Sequence, residues 1–242
     1  MTLFLASVRN RAEAELVLGA GADIVDLKDP GQGALGAVDR ATLEACIVEI
    51  SARAAVSATV GDLPMEPHRV EQAVTATAAS GVDYVKLGVW PDGDPQPCLE
   101  SLRAAQLRAR LVLVFFADAM PSFDALRLAR RAGAHGVMLD TASKQSGSLL
   151  DHMTIGDVEG FVQAAHREGL IAGVAGSLRA AQVPALLPLA PDLIGFRGAL
   201  CHDGLRNGRL DPIACGRIRA LIPVAAPWPE RQMPESQAPA LC

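Results

Sequence analysis

Short runs of apolar residues alternate along the chain with longer segments in which apolar positions recur at helical spacing. The runs are rich in Val, Ile and Leu and almost continuous, as in parallel strands that are covered on both faces. They predict strands at residues 3–8, 23–28, 54–60, 84–87, 111–116, 136–140, 171–175 and 193–197. The segments between them predict Ala-rich amphipathic helices at residues 11–18, 40–51, 68–79, 99–110, 122–132, 157–168, 180–189 and 213–221. Eight such units in one chain of this length predict a single α/β domain, a closed (β/α)8 TIM barrel.

The chain beyond the last predicted helix has a different composition. Residues 223–242 are rich in Pro and Ala and show no periodicity, which is typical of a segment outside a folded core. We therefore expect residues 1–222 to form the barrel domain and residues 223–242 to be a mobile tail.

One short pattern recurs at the second, fourth, sixth and eighth predicted strands. GADIVDLK, which starts at residue 21, aligns with GVDYVKLG, with GAHGVMLD and, more loosely, with PDLIGFR. Because side chains alternate between the two faces of a strand, one set of positions is predicted to face the helices, and all of its members are apolar: Val25, Leu27, Val85, Leu87, Val137, Leu139, Ile194 and Phe196. The alternate positions are predicted to point into the barrel in two layers. The lower layer is Asp26, Lys86, Met138 and Gly195, and the layer at the carboxyl-terminal mouth is Lys28, Gly88, Asp140 and Arg197.

Lysine is rare in this chain and occupies particular places. Only three of the 22 basic residues are lysines, and Lys28, Lys86 and Lys144 each end or closely follow a predicted strand. Chemistry that needs a neutral amine requires lysine, because an arginine guanidinium keeps its proton. The carboxyl-terminal ends of the strands are also where this fold places its catalytic groups. The pattern favours amine chemistry with all three lysines as candidates, and the alternatives are ordinary surface lysines or a buried ion pair that only fixes the strands.

The predicted layers assign different roles to the charged groups. An amine attacks a carbonyl carbon only when it is neutral, and neighbouring cations, here including Arg197, and partial burial lower its pKa. Asp26 favours a charged amine on Lys86, so Lys28, one layer nearer the mouth, is predicted to be the Schiff-base nucleophile. Lys86 is predicted to transfer protons, and Asp26 and Asp140 to hold or relay them.

The turns after the seventh and eighth predicted strands indicate recognition of an anion. Gly176 and Ser177 lie at one strand-to-helix turn, and Arg197 and Gly198 lie at the next. Barrels of this class commonly bind phosphate at these two loops, through backbone N–H groups and helix N-termini. The alternative is that tight turns need glycine for conformational reasons alone.

Three further segments lie near the predicted mouth. The Gly-rich segment at residues 29–36 follows no nucleotide-binding pattern and is predicted to be a flexible loop next to Lys28. Asp62 and Asp118 follow the third and fifth predicted strands, and each is predicted either to line the mouth or to cap the next helix.

The composition of the chain limits the kinds of binding partner and the cellular location that we expect for the protein. The formal net charge is −5 and aromatic residues make up 4% of the chain, which argues against nucleic acid and anionic membranes as partners. No apolar run approaches the roughly 18 residues of a membrane span, and the N-terminal apolar run is too short for a signal peptide. The odd number of cysteines, without CxxC spacing, predicts free thiols in a reducing cytoplasm. The histidines show no metal-ligand spacing, so we expect no metal.

Several segments together resemble the (5-formylfuran-3-yl)methyl phosphate synthase family, which makes the furan precursor of methanofuran. They are GADIVDLKDPGQGALGA, VSATVGDLP, DYVKLG, MLDTASK, GVAGSL and DLIGFRGA, in matching order. The resemblance implies a TIM barrel that condenses two molecules of glyceraldehyde 3-phosphate into a phosphorylated furan aldehyde, with loss of phosphate and water. It implies no metal and no organic cofactor, and it matches Lys28 to the family's Schiff-base lysine and Lys86 to its proton acceptor.

Two other functions remain open at this point. A class I aldolase acting on another sugar phosphate needs the same lysine and phosphate site, whereas a non-catalytic barrel that binds a phosphorylated metabolite needs only the phosphate site. For the enzyme we expect a cytoplasmic carbon–oxygen lyase with a triose phosphate as its ligand, assembled as a homo-oligomer.

Overall fold

A closed barrel of parallel strands forms the centre of the molecule, in a computed structural model that describes residues 1–119, 121, 124–143 and 146–224. The strands are β1 (Leu3–Val8), β2 (Ile24–Leu27), β3 (Ala55–Thr59), β4 (Tyr84–Val89), β5 (Arg110–Phe116), β6 (Gly136–Asp140), β7 (Ile171–Val174) and β8 (Leu193–Phe196). They are hydrogen-bonded in chain order, and β8 pairs with β1 to close the sheet. The predicted TIM barrel is therefore confirmed.

Helices connect successive strands and cover the outside of the barrel. They are α1 (Arg11–Gly19), α2 (Arg40–Ile50), α3 (Pro67–Ala78), α4 (Pro95–Ala104), α5 (Asp124–Arg131), α6 (Leu149–His152), α7 (Ile155–Arg167), α8 (Val183–Leu186) and α9 (Pro212–Leu221). Several begin at an aspartate whose side chain accepts a backbone N–H of the first turn, as Asp39 does for α2 and Asp211 for α9. Such caps satisfy N–H groups that have no partner within the helix.

Two predicted helices differ from the observed ones, and proline explains both differences. Helix α4 starts at Pro95, earlier than predicted, because Asp94 caps it and proline is well suited to the first helical turn. It also ends earlier than predicted, at Ala104. The segment predicted as one helix at residues 180–189 contains only the single turn α8, with 3₁₀ turns on either side. Pro188 cannot donate the hydrogen bond that a continuous helix needs at that position.

The strands separate two apolar clusters, as the alternation predicts. Every member of the set predicted to face the helices belongs to the cluster outside the sheet. A smaller cluster fills the inside of the barrel: Leu3, Leu5, Ile24, Ala55, Tyr84, Val112, Val114, Phe116, Met138, Ala175 and Leu193, with Ala34 and Leu35 from a loop. The polar groups described below lie above this inner cluster, at the carboxyl-terminal ends of the strands.

Some predictions fall on residues for which the structure gives only part of an answer. Residues 225–242, most of the predicted tail, lie outside the described part of the chain, and so does Lys144.

Among the described helices, none is both long enough and apolar enough to cross a membrane. Four cysteines, Cys46, Cys98, Cys201 and Cys215, are buried free thiols.

Candidate active site

Asp26 and Lys86 form an ion pair inside the barrel. Asp26 Oδ1 lies 2.7 Å from Lys86 Nζ, and the Asp26 side chain is 0% exposed. The hydroxyl of Ser57 donates to Oδ1 at 2.6 Å, and that of Ser7 donates to Oδ2 at 2.8 Å. Both serines lie directly beside Asp26 in the sheet register, on β1 and β3. The predicted contact between Asp26 and Lys86 is confirmed, and the two hydroxyls hold the carboxylate in place.

Burial and the neighbouring charges shift the pKa values of both Asp26 and Lys86. Burial raises the pKa of Asp26, but the positive charges of Lys86 and Lys28 outweigh this and bring the pKa below its ordinary value. Burial lowers the pKa of Lys86; the attraction of Asp26 opposes this effect, and the charge of Lys28 adds to it. Asp26 is therefore an anion, and Lys86 gives up its proton more readily than an exposed lysine.

A second pair, Lys28 and Asp140, occupies the mouth. Lys28 Nζ lies 3.4 Å from Asp140 Oδ2, and the two side chains are 7% and 6% exposed. The other carboxylate oxygen of Asp140 accepts the backbone N–H of Thr141 at 2.8 Å, which fixes its orientation. The charge of Lys28 acts on both Asp26 and Lys86, so the two pairs belong to one electrostatic cluster. Among the described residues it contains two amines and two carboxylates.

Such a cluster is suited to reactions of carbonyl compounds. One amine has a carboxylate close enough to take its proton, which leaves the nitrogen free to attack a carbonyl carbon. The second amine, with its lowered pKa, is available to remove a proton from the carbon next to that carbonyl. The enclosed position limits the access of water to the intermediates.

The Arg197 side chain is occupied by other protein groups, contrary to its predicted role at the mouth. Its Nη1 and Nη2 contact the two carboxylate oxygens of Glu13 at 2.5 and 3.2 Å, and Nη1 also donates to the carbonyl of Ser7 at 3.2 Å. Nε donates to the carbonyl of Arg206 at 2.9 Å, and Nη2 to that of Gly208 at 3.0 Å. A guanidinium has five N–H groups, and these contacts use all of them. The Arg197 side chain therefore joins β8 to α1 and to the following loop, and we do not assign it to phosphate.

The other predicted anion-binding residues lie at the ends of β7 and β8. Gly176 has a φ of +98°, and a Cβ placed there would lie 3.3 Å from the carbonyl carbon of Asp140, so the turn packs against the end of β6. Ser177 follows with a φ of +47° and is partly buried. A Cβ on Gly198 would lie 3.1 Å from the Gly204 carbonyl oxygen, so this glycine allows the next loop to pack closely.

The Gly-rich segment at residues 29–36 is held in place by hydrogen bonds, rather than free as expected. The carboxylate of Asp62 accepts the backbone N–H groups of Ala34 and Leu35, both at 2.8 Å. The Thr59 hydroxyl donates to the carbonyl of Gly36 at 3.0 Å. Asp62, predicted to line the mouth or cap a helix, instead fastens the loop after β2 to the end of β3.

Asp118 does the same for the loop after β6. Its carboxylate accepts the N–H groups of Ala142 and Ser143 at 2.9 and 2.7 Å. Partial burial raises the pKa of Asp118, but these N–H groups outweigh it and hold the pKa below its ordinary value. The clamp fixes the residues between Asp140 and the candidate Lys144.

An apolar wall on one side of the mouth was not predicted. The rings of Trp90 and Phe116 lie 4.2 Å apart, and the fully buried Leu35 belongs to the same cluster. Gly88 makes room for this wall, because a Cβ there would lie 2.9 Å from Leu35 Cδ1 and 3.1 Å from the Phe116 ring. The sequence feature that could have indicated this wall is Gly88 itself, a glycine at an inward position of a strand whose neighbouring residues are large.

The chain is similar to known proteins in sequence and in fold. A sequence model of the family described as 4-HFC-P synthase matches residues 4–219. The (5-formylfuran-3-yl)methyl phosphate synthase of Methanopyrus kandleri is 37% identical over 215 residues, covering 84% of this chain and 91% of its own. That of Methanococcus maripaludis is 36% identical over 225 residues, covering 86% of this chain and 94% of its own.

Solved structures show the same fold at lower identity. A 3-hexulose-6-phosphate synthase superimposes with a TM-score of 0.58 at 19% identity, covering 92% of this chain and all of its own. Phosphoribosyl anthranilate isomerase from Thermus thermophilus gives a TM-score of 0.67 at 12% identity, covering 91% of this chain and 98% of its own.

Proposed function

Because the chain belongs to the 4-HFC-P synthase family, and is by that membership an enzyme, we propose that it condenses two molecules of glyceraldehyde 3-phosphate. The product is 4-(hydroxymethyl)-2-furancarboxaldehyde phosphate, and one phosphate and two molecules of water are released. The observation that supports this reaction best is the position of Lys28 Nζ, 3.4 Å from Asp140 in the same enclosed space as the Asp26–Lys86 pair.

In the first step Lys28 forms an iminium with the aldehyde carbon of one triose phosphate. Asp140 takes a proton from Nζ, and the neutral nitrogen attacks the carbonyl carbon. The proton then returns to the new hydroxyl group, which leaves as water. Both oxygens of Asp140 are already oriented for this exchange, one by Thr141 and one by Lys28 itself.

In the second step Lys86 removes the proton from the adjacent carbon. The electrons of that C–H bond form an enamine, and the enamine then expels phosphate from the third carbon. The lowered pKa of Lys86 supports this role, since only the neutral amine accepts a proton. Asp26 stabilises the ammonium group that results.

In the third step the enol form of the remaining three-carbon unit attacks the second triose. That triose first isomerises to its ketone through an enediol: a base such as Lys86 removes the proton from its second carbon, and a proton is returned to its first carbon. A carbon–carbon bond then forms at the ketone carbon. Ring closure through oxygen and loss of water give the furan, and hydrolysis of the imine releases Lys28. Aromaticity favours these last steps.

The loop after β7 supports a phosphate position close to this chemistry. Gly176 packs against the carbonyl carbon of Asp140, so its neighbour Ser177 lies at the same rim of the barrel. We propose that the backbone of Gly176 and the Ser177 side chain bind phosphate, with the turn at Gly198 beside them.

The test is to incubate the protein with glyceraldehyde 3-phosphate, reduce with borohydride and map the modified peptide. We expect the adduct on Lys28 and, without borohydride, a product with the near-ultraviolet absorbance of a furan. Lys28→Arg should keep the circular dichroism of the wild type but lose both signals, because a guanidinium forms no imine.

Lys86→Gln is the matched comparison, because it changes the other amine. It should still give the borohydride adduct on Lys28 but lose the furan. Furan formation by Lys28→Arg at the wild-type rate would refute the role of Lys28. An adduct on Lys28 with a non-furan product would indicate an aldolase instead.

A further inference from the structure

Arg206 places a guanidinium between two loops at the mouth. It lies in the segment after β8, and its Nη2 donates to the carbonyl of Gly33, in the loop after β2, at 2.9 Å. The side chain is partly buried. Burial lowers the pKa of Arg206, and the carboxylate of Asp140 opposes this effect, so Arg206 lies within electrostatic range of the partner of Lys28.

The backbone that carries Arg206 is fixed on several sides. The guanidinium of Arg197 holds the carbonyls of Arg206 and Gly208, and Arg9 Nη1 donates to the carbonyl of Asn207 at 3.0 Å. Cys201 and Leu210 pair across the base of the segment as an antiparallel bridge. The position of Arg206 is therefore set before any ligand arrives, which lowers the entropy cost of binding.

Arg206 also keeps donors that its own contacts do not use. In the described part of the chain, its hydrogen bond to Gly33 is made by Nη2 alone, and it forms no ion pair within 4.0 Å. Among the described residues, no hydrogen bond of the Arg206 side chain uses Nε or Nη1, so these donors are available to a ligand. Arg197, by contrast, has every N–H group occupied.

We propose that Arg206 binds the phosphate group of the triose attached to Lys28. This inference rests on the proposed function and adds a second phosphate position to the one at the loop after β7. The reaction brings two phosphate groups to one mouth, so two positions are needed. Nε and Nη1 are charged donors of the kind that bind phosphate oxygens strongly. Because that phosphate is the one expelled, its charge increases at the guanidinium as the reaction proceeds.

The test compares Arg206→Gln with Arg209→Gln. Arg209 is an exposed arginine of the same segment, so the control removes the same charge without removing the group at the mouth. For each protein, the concentration of glyceraldehyde 3-phosphate that gives half-maximal borohydride trapping is measured, and then that of glyceraldehyde, which lacks phosphate. Binding of inorganic phosphate is measured separately by calorimetry.

We expect Arg206→Gln to raise the half-maximal concentration of glyceraldehyde 3-phosphate and the Kd of phosphate by roughly tenfold or more, as for loss of a charged hydrogen bond. Trapping of glyceraldehyde should not change, and Arg209→Gln should resemble the wild type. Equal weakening for both aldehydes would show that Arg206 only holds Gly33, and would overturn the proposal. So would phosphate binding that is undetectable in the wild type or equal in the two variants. A wild type that binds phosphate through Arg206 but traps neither aldehyde would refute the proposed function instead.

Discussion

Removing the Arg197 side chain should weaken the fold, and not primarily the binding of phosphate. In Arg197→Ala, Glu13 stays buried with its main partner lost, and three backbone carbonyls lose their donors. Breaking one side of a buried ion pair costs about 3–5 kcal/mol. Arg9 Nε still lies 3.1 Å from Glu13, so we expect the lower end of that range. For a domain of this size it corresponds to a fall in Tm of roughly 10 °C.

The measurement is urea and thermal unfolding of the wild type, Arg197→Ala and the double variant Glu13→Gln/Arg197→Ala. The double variant should recover part of the lost free energy of unfolding, because the buried carboxylate is no longer charged. Folded Arg197→Ala, studied well below its Tm, should bind inorganic phosphate within about threefold of the wild type, a small effect on the scale of a lost charged hydrogen bond. The reasoning would be refuted by a variant with unchanged Tm and strongly weakened phosphate binding.

Two further predictions concern the proton transfer and the loop after β2. Asp26→Asn removes the negative charge that raises the pKa of Lys86, so the pKa of Lys86 should fall further. The acidic limb of the pH–rate profile should then move to lower pH. A limb that moves to higher pH would contradict the role of Lys86 as base. Asp62→Ala leaves the N–H groups of Ala34 and Leu35 without their acceptor. Hydrogen exchange at these two amides should become roughly tenfold faster, as expected for loss of a charged hydrogen bond, and the KM of the enzyme should rise. Unchanged exchange at these amides, measured by NMR or mass spectrometry, would show that the clamp is not needed to order the loop.

The sequence predicted the pair of Asp26 and Lys86 because two regular features coincide at these positions. Alternation along β2 and β4 puts Asp26 and Lys86 on the inner face, and lysine is rare enough to stand out. Ser7 and Ser57 also occupy inward positions of their strands, so the same rule, applied to β1 and β3, would have identified the partners of Asp26 as well. Local periodicity is enough where the backbone stays regular.

The alternation of inward and outward side chains gave a wrong prediction for Arg197, because β8 ends one residue earlier, at Phe196. Arg197 has a φ of −132° and a ψ of −65°, which is not strand geometry, so its side chain leaves the inward row and turns towards α1. Asp62 accepts hydrogen bonds from the loop after β2, and Arg206 donates one to it; these bonds join residues that are 27 to 173 positions apart. Contacts of this kind depend on the closed barrel, and no local pattern encodes them.

The pairing of Lys28 with Asp140 bears on the heat of imine formation. An ammonium and an iminium carry the same charge, so Asp140 faces a cation both before Lys28 reacts and after the iminium has formed. The proton that Lys28 gives up returns to the departing hydroxyl, and none needs to pass to or from the buffer. The enthalpy of imine formation, measured by calorimetry, should therefore be the same in buffers with very different heats of ionisation. An enzyme arranged in this way forms its covalent intermediate without taking up a net proton from its surroundings.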